Sequence, residues 1–393
     1  MKKIIAAIVV LMVSFSVHGQ KDKYAFAQAY IGAQFDAVGG SNSPEFIAGR
    51  FLIGGTHFWQ KADFYISVPL FSSRVNGDDW HYDEGVITGF RYLPFGIGRK
   101  EPRPFIGVQW LSPELRIGDG PLFENSRFGI EAGMNIAFGS FYTLELSAHH
   151  VFNNEVNYAV SRERRAQLEA PDLGLSIALK KYFDTTASLS SEKSQAYVKQ
   201  LYDGFEEQGK LSTWNVAIGL SANVSLSDVP MLESYDFMPD RPPLALFPDV
   251  AVGYYLHEID AGVRASWRPM NLADEAYGLD YSIRQHRLAL EGFKFLFDYK
   301  GFVPFLGFSI GNDFINAEIN DGELPQIKDE YSAFSYGITF GWDIRPNNTQ
   351  AWILRTNLRY LIQSDSNVDI ANATGRNLEI TFIQIVIYPS RWN

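Results

Sequence analysis

The sequence predicts an all-β chain, a transmembrane antiparallel up-and-down β-barrel of sixteen strands arranged as two similar halves of eight. Three observations predict it: an exportable N-terminus, segments of about ten residues with period-two alternation, and connections that alternate between short and long.

Met1-Lys2-Lys3 supplies a positive n-region and Ile4 to Phe15 an apolar stretch, the pattern of a secretory signal peptide over residues 1-19. That stretch is well short of the ~20 residues that span a bilayer as a helix. Beyond residue 20 no run of ~18 apolar residues occurs, although aromatics make up 15% of the chain. The other backbone that satisfies all its hydrogen bonds in lipid is a closed barrel. Removal of Lys2 and Lys3 takes the net charge from -11 to -13, which argues against nucleic acid as a partner. Without cysteine there is no disulfide, no thiolate metal site and no cysteine nucleophile. Phosphate loops, dinucleotide fingerprints and Walker motifs are absent, and no cofactor is expected.

Alternation is clearest from Phe128 to Phe138, where Phe128, Ile130, Ala132, Met134, Ile136 and Phe138 oppose Gly129, Glu131, Gly133, Asn135 and Ala137. The same partition recurs in Phe141 to His149, Trp214 to Val224 and Tyr331 to Asp343. The whole chain reads as strands near 24 to 37, 46 to 58, 62 to 72, 83 to 95, 103 to 115, 126 to 138, 141 to 152 and 171 to 183. A second set lies near 212 to 226, 248 to 257, 260 to 269, 284 to 299, 302 to 316, 331 to 344, 350 to 363 and 376 to 388. Short turns such as Gln60-Lys61 and His257-Glu258 interleave with long polar loops such as Ser112 to Asn125, Phe152 to Ala170 and Ser227 to Leu246. That parity fits short periplasmic turns and long external loops.

The domain organisation that follows is residues 1-19 signal peptide, 20-183 first eight-strand unit, 184-211 linker and 212-393 second eight-strand unit. In the linker Tyr197, Leu201 and Phe205 recur as on one side of a short helix ending near Gly209, periplasmic by parity. Its length raises the question of whether each half closes alone. The linker and the Phe183 ending favour two tandem barrels over one sixteen-stranded barrel.

Arg103-Pro104-Phe105-Ile106-Gly107 and Val303-Pro304-Phe305-Leu306-Gly307 open corresponding strands of the two halves, and Leu173 to Phe183 ends the first half on aromatics. In these pieces each half resembles the Bacteroidetes-type outer-membrane β-barrel proteins of the OmpA/OmpX-like and PorT-like group. The resemblance implies a multi-pass barrel in the Gram-negative cell outer membrane, in contact with lipid, lipopolysaccharide and the barrel-insertion machinery. The C-terminus departs from the pattern: Phe382 to Tyr388 alternates less cleanly and Pro389 to Asn393 follows the expected terminal aromatic.

Inward positions by parity include Gly89, Gly107, Gly129, Gly133, Gly174, Gly219, Gly262, Gly307, Gly337 and Gly341. They also include a candidate polar network of Arg50, Arg91, Glu131, Glu145 and Lys180 in the first half, and Arg264, Arg268, Glu291, Asp343, Arg355, Arg359 and Glu379 in the second. These charges neutralise one another in two narrow barrels or line one wet pore. Trp59, Trp80, Trp110, Trp267 and Trp342 read as interfacial aromatics, and Tyr235 and Phe237 as external ones.

No catalytic or metal-ligating constellation emerges. His149-His150 lies where lipid A deacylases of this barrel class carry a His-x-Ser-Asn motif, but position 151 is valine and 152 phenylalanine. The pair reads instead as interfacial histidines. Acidic clusters at Asp78, Asp79, Asp83 and Glu84 and at Asp321, Glu323, Asp329 and Glu330 lack calcium-loop spacing and read as solvated loop charge. Two functions follow as expectations: a non-enzymatic barrel protein displaying external loops for binding, adhesion or envelope organisation, with the 184-211 linker as a site for a periplasmic partner; or a porin-like channel formed by one sixteen-stranded barrel.

Overall fold

The structure, a computed structural model, describes residues 27–40, 43, 45–74, 80–97, 101–124, 126–138, 142–184, 192–227, 235–239, 244–299, 301–322, 326–345, 349–364 and 375–392. The expected signal peptide and the start of the first expected strand lie outside them. The chain forms two compact units, the first built on residues up to Thr185 and the second on those from Thr186, with Asp119–Leu122 and Ser161–Arg164 grouped with the second.

The first unit contains β1 (Gln28–Gly39), β2 (Phe46–His57), β3 (Ala62–Arg74), β4 (Trp80–Asp83), β5 (Ile87–Tyr92), β6 (Arg103–Leu111), β7 (Glu114–Ile117), β8 (Phe123–Glu124), β9 (Arg127–Phe138), β10 (Tyr142–Val151), β11 (Glu155–Ser161), β12 (Arg164–Glu169) and β13 (Leu173–Asp184). Eight of them close into an antiparallel barrel in the order β1, β2, β3, β5, β6, β9, β10, β13. Closure is made by β13 returning to β1, from Gln28 opposite Asp184 to Gly39 opposite Leu173.

The second unit contains helix α1 (Glu192–Glu207) and strands β14 (Thr213–Ser225), β15 (Ala245–Leu256), β16 (Ala261–Ala276), β17 (Leu279–Phe295), β18 (Phe302–Asn320), β19 (Ile327–Ile344), β20 (Trp352–Gln363) and β21 (Arg376–Ile387). These eight strands form a second closed barrel, β21 pairing with β14. Each half therefore seals its own edges, and the alternative of a single sixteen-stranded sheet is not what forms. Up-and-down closure of this kind leaves no exposed ladder within the wall.

Alternation orders the walls as the pattern implies. Along β9, Gly129, Glu131, Gly133 and Asn135 are buried, while Phe128, Ile130 and Phe138 stand exposed on the outside. The weak alternation near the C-terminus has a local cause. Register shifts against both β14 and β20 leave Phe382 as a bulge residue, so the inward phase changes from Glu379 and Thr381 to Gln384, Val386 and Tyr388.

Glycines on the inner wall make room for rings. Tyr65 lies directly opposite Gly89, Phe105 opposite Gly133, Phe293 opposite Gly262 and Phe305 opposite Gly341. A Cβ on these glycines would fall 2.1 to 2.5 Å from the facing ring. The Pro-Phe-x-Gly openings thus do the same thing twice: in both barrels a fifth-strand phenylalanine lies flat over a sixth-strand glycine.

Three features differ from the sequence expectation. Loops Ser112 to Asn125 and Phe152 to Ala170, expected to be polar and irregular, contain β7, β8 and the β11–β12 hairpin. They order because Leu115, Val156 and Tyr158 bury against Tyr82, Val38 and Phe46, giving the loop end of the first barrel a small core of its own. The fourth expected strand, 83 to 95, is split into β4, which joins β7 and β8, and β5, which stays in the barrel. Gly85, at φ +63, makes the break, and a Cβ there would meet the Ser112 carbonyl oxygen at 1.9 Å. Third, β16 to β19 run to 16, 17, 19 and 18 residues, roughly five to ten beyond the ~9–11 that cross a bilayer. The β16–β17 hairpin turns on Tyr277 and Gly278, both at positive φ, as a two-residue type I′ turn requires.

The linker helix forms as its periodicity implies. It stops at Gly209, φ +65, with Gly209 N–H donating to the Glu206 carbonyl and Lys210 N–H to Phe205, the two bonds of a Schellman cap. Phe205 is buried, Leu201 half-buried and Tyr197 exposed. Residues 20–183 expressed alone are expected to insert into vesicles and to migrate with heat-modifiable mobility on a gel, because β1 and β13 complete the first barrel without the second unit. Insertion of the whole chain but of neither part would contradict separate closure.

Candidate functional site

The lumens are the places where charge concentrates. All twelve charged residues of the candidate network are buried, none more than 4% exposed. The structure brings them together within each barrel and adds members to both sets.

In the first barrel Arg91 on β5 is the hub. Its guanidinium reaches Glu131 on β9 at 2.8 Å, Glu145 on β10 at 2.9 Å and Asp63 on β3 at 3.6 Å. Lys180 on β13 lies 2.5 Å from Glu145 and 3.5 Å from Asp63. Tyr30 on β1 donates to Asp63 at 2.9 Å, Tyr65 on β3 donates to Glu131 at 2.9 Å, and Gln109 on β6 donates to the Tyr65 hydroxyl at 2.8 Å. Arg91 also sits 3.9 Å above the Tyr65 ring and 4.7 Å from that of Phe105. Only β2 is missing from this set.

β2 contributes Arg50 to a second group nearer the loop end. Arg50 donates to Ser67 Oγ at 2.7 Å and to the Gly85 carbonyl, with Asp83 at 3.4 Å and Asp36 at 3.6 Å. His149 Nε2 lies 2.7 Å from Glu84 Oε1, both buried. Asp83 and Glu84 are therefore not solvated loop charge, as the sequence suggested; Gly85 turns the chain inward, and Arg50 and His149 of the wall hold it. His149 points into the lumen, beside Gly174, and is not interfacial; His150 faces the other way and is half-exposed. Burial alone would raise the Glu84 carboxyl, but the His149 imidazole outweighs it and holds the group below the ordinary glutamate range.

In the second barrel four arginines meet four carboxylates. Arg264 and Arg268 both donate to Glu291, the latter at 2.6 Å. Arg268 reaches Glu379 at 2.5 Å, and Arg287 bonds Glu379 and, with two nitrogens, Asp313. Arg359 lies 2.8 Å from Asp249 and 3.1 Å from Glu291. Towards the short-turn end Arg355 makes two bonds to Asp343, at 2.6 and 2.8 Å, over the rings of Phe293 and Phe305. The mouth there is filled by Tyr255, Phe295, Tyr388 and Arg391, the last donating to the Leu211 carbonyl at 2.8 Å. The residues after the last strand thus turn inward as a stopper.

Asp63, Asp249, Arg287 and Asp313 were missed. Asp249 follows Pro248 and Asp63 follows a turn, which hid both at expected strand ends. Arg287 and Asp313 obey the same parity as Glu291 and Ser309 and were legible from it. Among the aromatics Trp59 and Trp267 are exposed, and Trp110 and Trp342 half-buried. Trp80 belongs to β4, off the barrel, and Phe237 is buried, 5.9 Å from Tyr277. Asp78, Asp79 and Glu323 lie outside the described residues; Asp321 is buried, Asp329 half-buried and Glu330 exposed. Among the described residues no group of three or more His, Cys, Asp or Glu could hold a metal.

No family model and no curated protein matches the chain. Solved structures similar to it are outer-membrane proteins. Neisserial surface protein A is 12% identical, over 44% of this chain and 96% of its own, with a TM-score of 0.32. Ail of Yersinia pestis, in complex with a heparin analogue, is 11% identical over 45% and 97%, with a TM-score of 0.31. The β domain of the Bordetella autotransporter BrkA is 9% identical over 93% and 100%, with a TM-score of 0.25. The fold of the chain is two closed, antiparallel eight-stranded β-barrels.

Glu379→Ala is expected to lower stability by about 3–5 kcal/mol, because Arg268 and Arg287 lose a shared partner while still buried; urea unfolding in detergent checks it. Because the Glu84 carboxyl is held low, its contribution is complete above the ordinary glutamate value of about 4.3 and is lost as pH falls through its depressed value. Hydrogen exchange of β4 and β7 amides, corrected for intrinsic rate, is expected to accelerate as pH falls below that range, and Glu84→Gln is expected to remove the share of the acceleration that Glu84 carries.

Proposed function

We propose that the chain is an integral outer-membrane protein, without enzymatic activity, whose two barrels are closed to solutes and hold folded structure at the cell surface for binding, adhesion or envelope organisation. The observation that carries this reading is the filling of both lumens by ion pairs that join opposite walls. An eight-stranded barrel has an interior about as wide as its own side chains, and here those side chains are bonded to each other across the lumen. On this reading lipid and lipopolysaccharide surround the exposed apolar belt, and the long-loop end, with the β4–β7–β8 sheet, the β11–β12 hairpin and the overhanging β16 to β19, faces outward. The barrel-insertion machinery is the partner in assembly, as the likeness to Bacteroidetes-type barrels implies. Tyr197 on α1, 63% exposed, offers the contact for a periplasmic partner.

Purified full-length protein in planar bilayers is expected to give no open-channel current. A variant with Glu291, Arg268, Arg359 and Glu379 all changed to alanine is expected to stay silent as well if it folds, because Tyr255, Phe295, Tyr388 and Arg391 still fill the short-turn mouth. Steady ohmic current from the unaltered protein would overturn the reading in favour of a channel.

A further inference from the structure

The outer face of β17 is an apolar ladder with a cation at each end. Its outward positions run Lys294, Gly292, Leu290, Leu288, His286 and Arg284, with both leucines exposed. Lys294 ends the ladder at the short-turn side, where its ammonium donates to the Ile259 carbonyl. Arg284 ends it at the long-loop side. The ten residue steps from Lys294 to Arg284 rise about 26 Å along the barrel axis, at ~3.4 Å per residue and a tilt of ~40°. The lipid-facing band of an outer-membrane barrel is about 25 Å tall. Neighbouring strands agree, with Trp267 opposite Leu288 and Ile310 opposite Leu290, both exposed.

At the Arg284 rim the wall changes chemistry. Asn271 on β16 and Asn316 on β18 stand directly opposite Arg284 on either side. His286, the next outward residue below it, lies parallel to the Trp267 indole, with ring centroids 6.2 Å apart and 3° between the planes. Arg284 is exposed, and among the described residues no carboxylate pairs with it. Glu330, level with it on β19, is engaged on its own side by the Asn316 amide at 2.9 Å and by Lys328 at 3.7 Å. Glu318, Asp280 and Glu275 stand higher, on the overhang. Towards β15 the outward residues Trp267, Pro269, Asn271, Pro248 and Leu246 are uncharged.

We propose that Arg284, with His286 and Asn271, seats a phosphate monoester of lipopolysaccharide, the one on the sugar of its lipid anchor. This rests on the reading that the exposed belt faces lipid and the long loops face outward, and it names the group met at that rim. The acyl chains lie along Leu288, Leu290, Trp267 and Ile310. A monoester with up to two negative charges suits a guanidinium that has no carboxylate of its own, and guanidinium, imidazole and amide all donate to its oxygens. A zwitterionic phospholipid brings its own ammonium to its phosphate and gains less from Arg284. The acidic overhang repels the phosphate from above and holds it at the rim.

The test is native mass spectrometry of the full-length protein in detergent, titrated with bisphosphorylated lipid A, with dephosphorylated lipid A and with phosphatidylglycerol. One bisphosphorylated lipid A per chain, bound in preference to both other lipids, is the expected result. Arg284→Gln, which changes an exposed side chain outside the wall's ladder, is expected to weaken that copy roughly tenfold, and Arg284→Lys to recover part of the loss. Arg376→Gln, which removes the outward cation at the head of β21, where Ile362 stands opposite, is expected to leave it unchanged. Equal binding of the phosphorylated and dephosphorylated forms, indifference to Arg284→Gln, or equal loss with Arg376→Gln overturns the site. Phosphatidylglycerol held as tightly as lipid A overturns the choice of lipopolysaccharide. Release of the unaltered protein from phosphatidylcholine vesicles by a carbonate wash overturns the membrane reading itself, so the two failures are told apart.

Discussion

A charge inside an eight-stranded barrel has nowhere to go but across it. Water is scarce, the opposite wall is one side chain away, and an ion left alone there costs several kcal/mol. Every other property of the two lumens follows from this. Arg91 must find Glu131 and Glu145, and Arg268 must find Glu291 and Glu379, so residues far apart in the chain are drawn into one register. Such networks specify a particular closure of the sheet, since a slip of one residue would turn each charge to the outside.

Space is the companion constraint. Arg91 rests on Tyr65 and Phe105, and Arg355 on Phe293 and Phe305. Those rings fit only because the residue opposite each is glycine. Glycine on an inward face therefore has two meanings, an empty lumen or a seat for a ring, and the distinction lies in the residue across the ladder rather than in the glycine itself.

Much of the fold was legible because a β-barrel writes itself in period two. The sixteen wall strands, the parity of connections and the charged inward set all follow from alternation in segments such as Phe128 to Phe138. What escaped has identifiable causes. The loop-end sheets depend on Leu115, Val156 and Tyr158 meeting Tyr82, contacts between segments that individually look polar. The bulge at Phe382 changes phase within a strand, and parity counting assumes none. Asp83 and Glu84 looked like solvated loop because their partners, Arg50 and His149, come from strands far away in sequence. Tyr65 and Phe105 were hidden by their own apolarity, which assigns them to lipid unless the glycine opposite is noticed.

Separate closure of the two barrels also changes what the linker between them means. Two independently sealed barrels on separate chains would occur in independent amounts; joined by residues 185 to 212 they come one to one. The chain therefore always carries both surfaces in equal number, which two separate eight-stranded proteins would not guarantee.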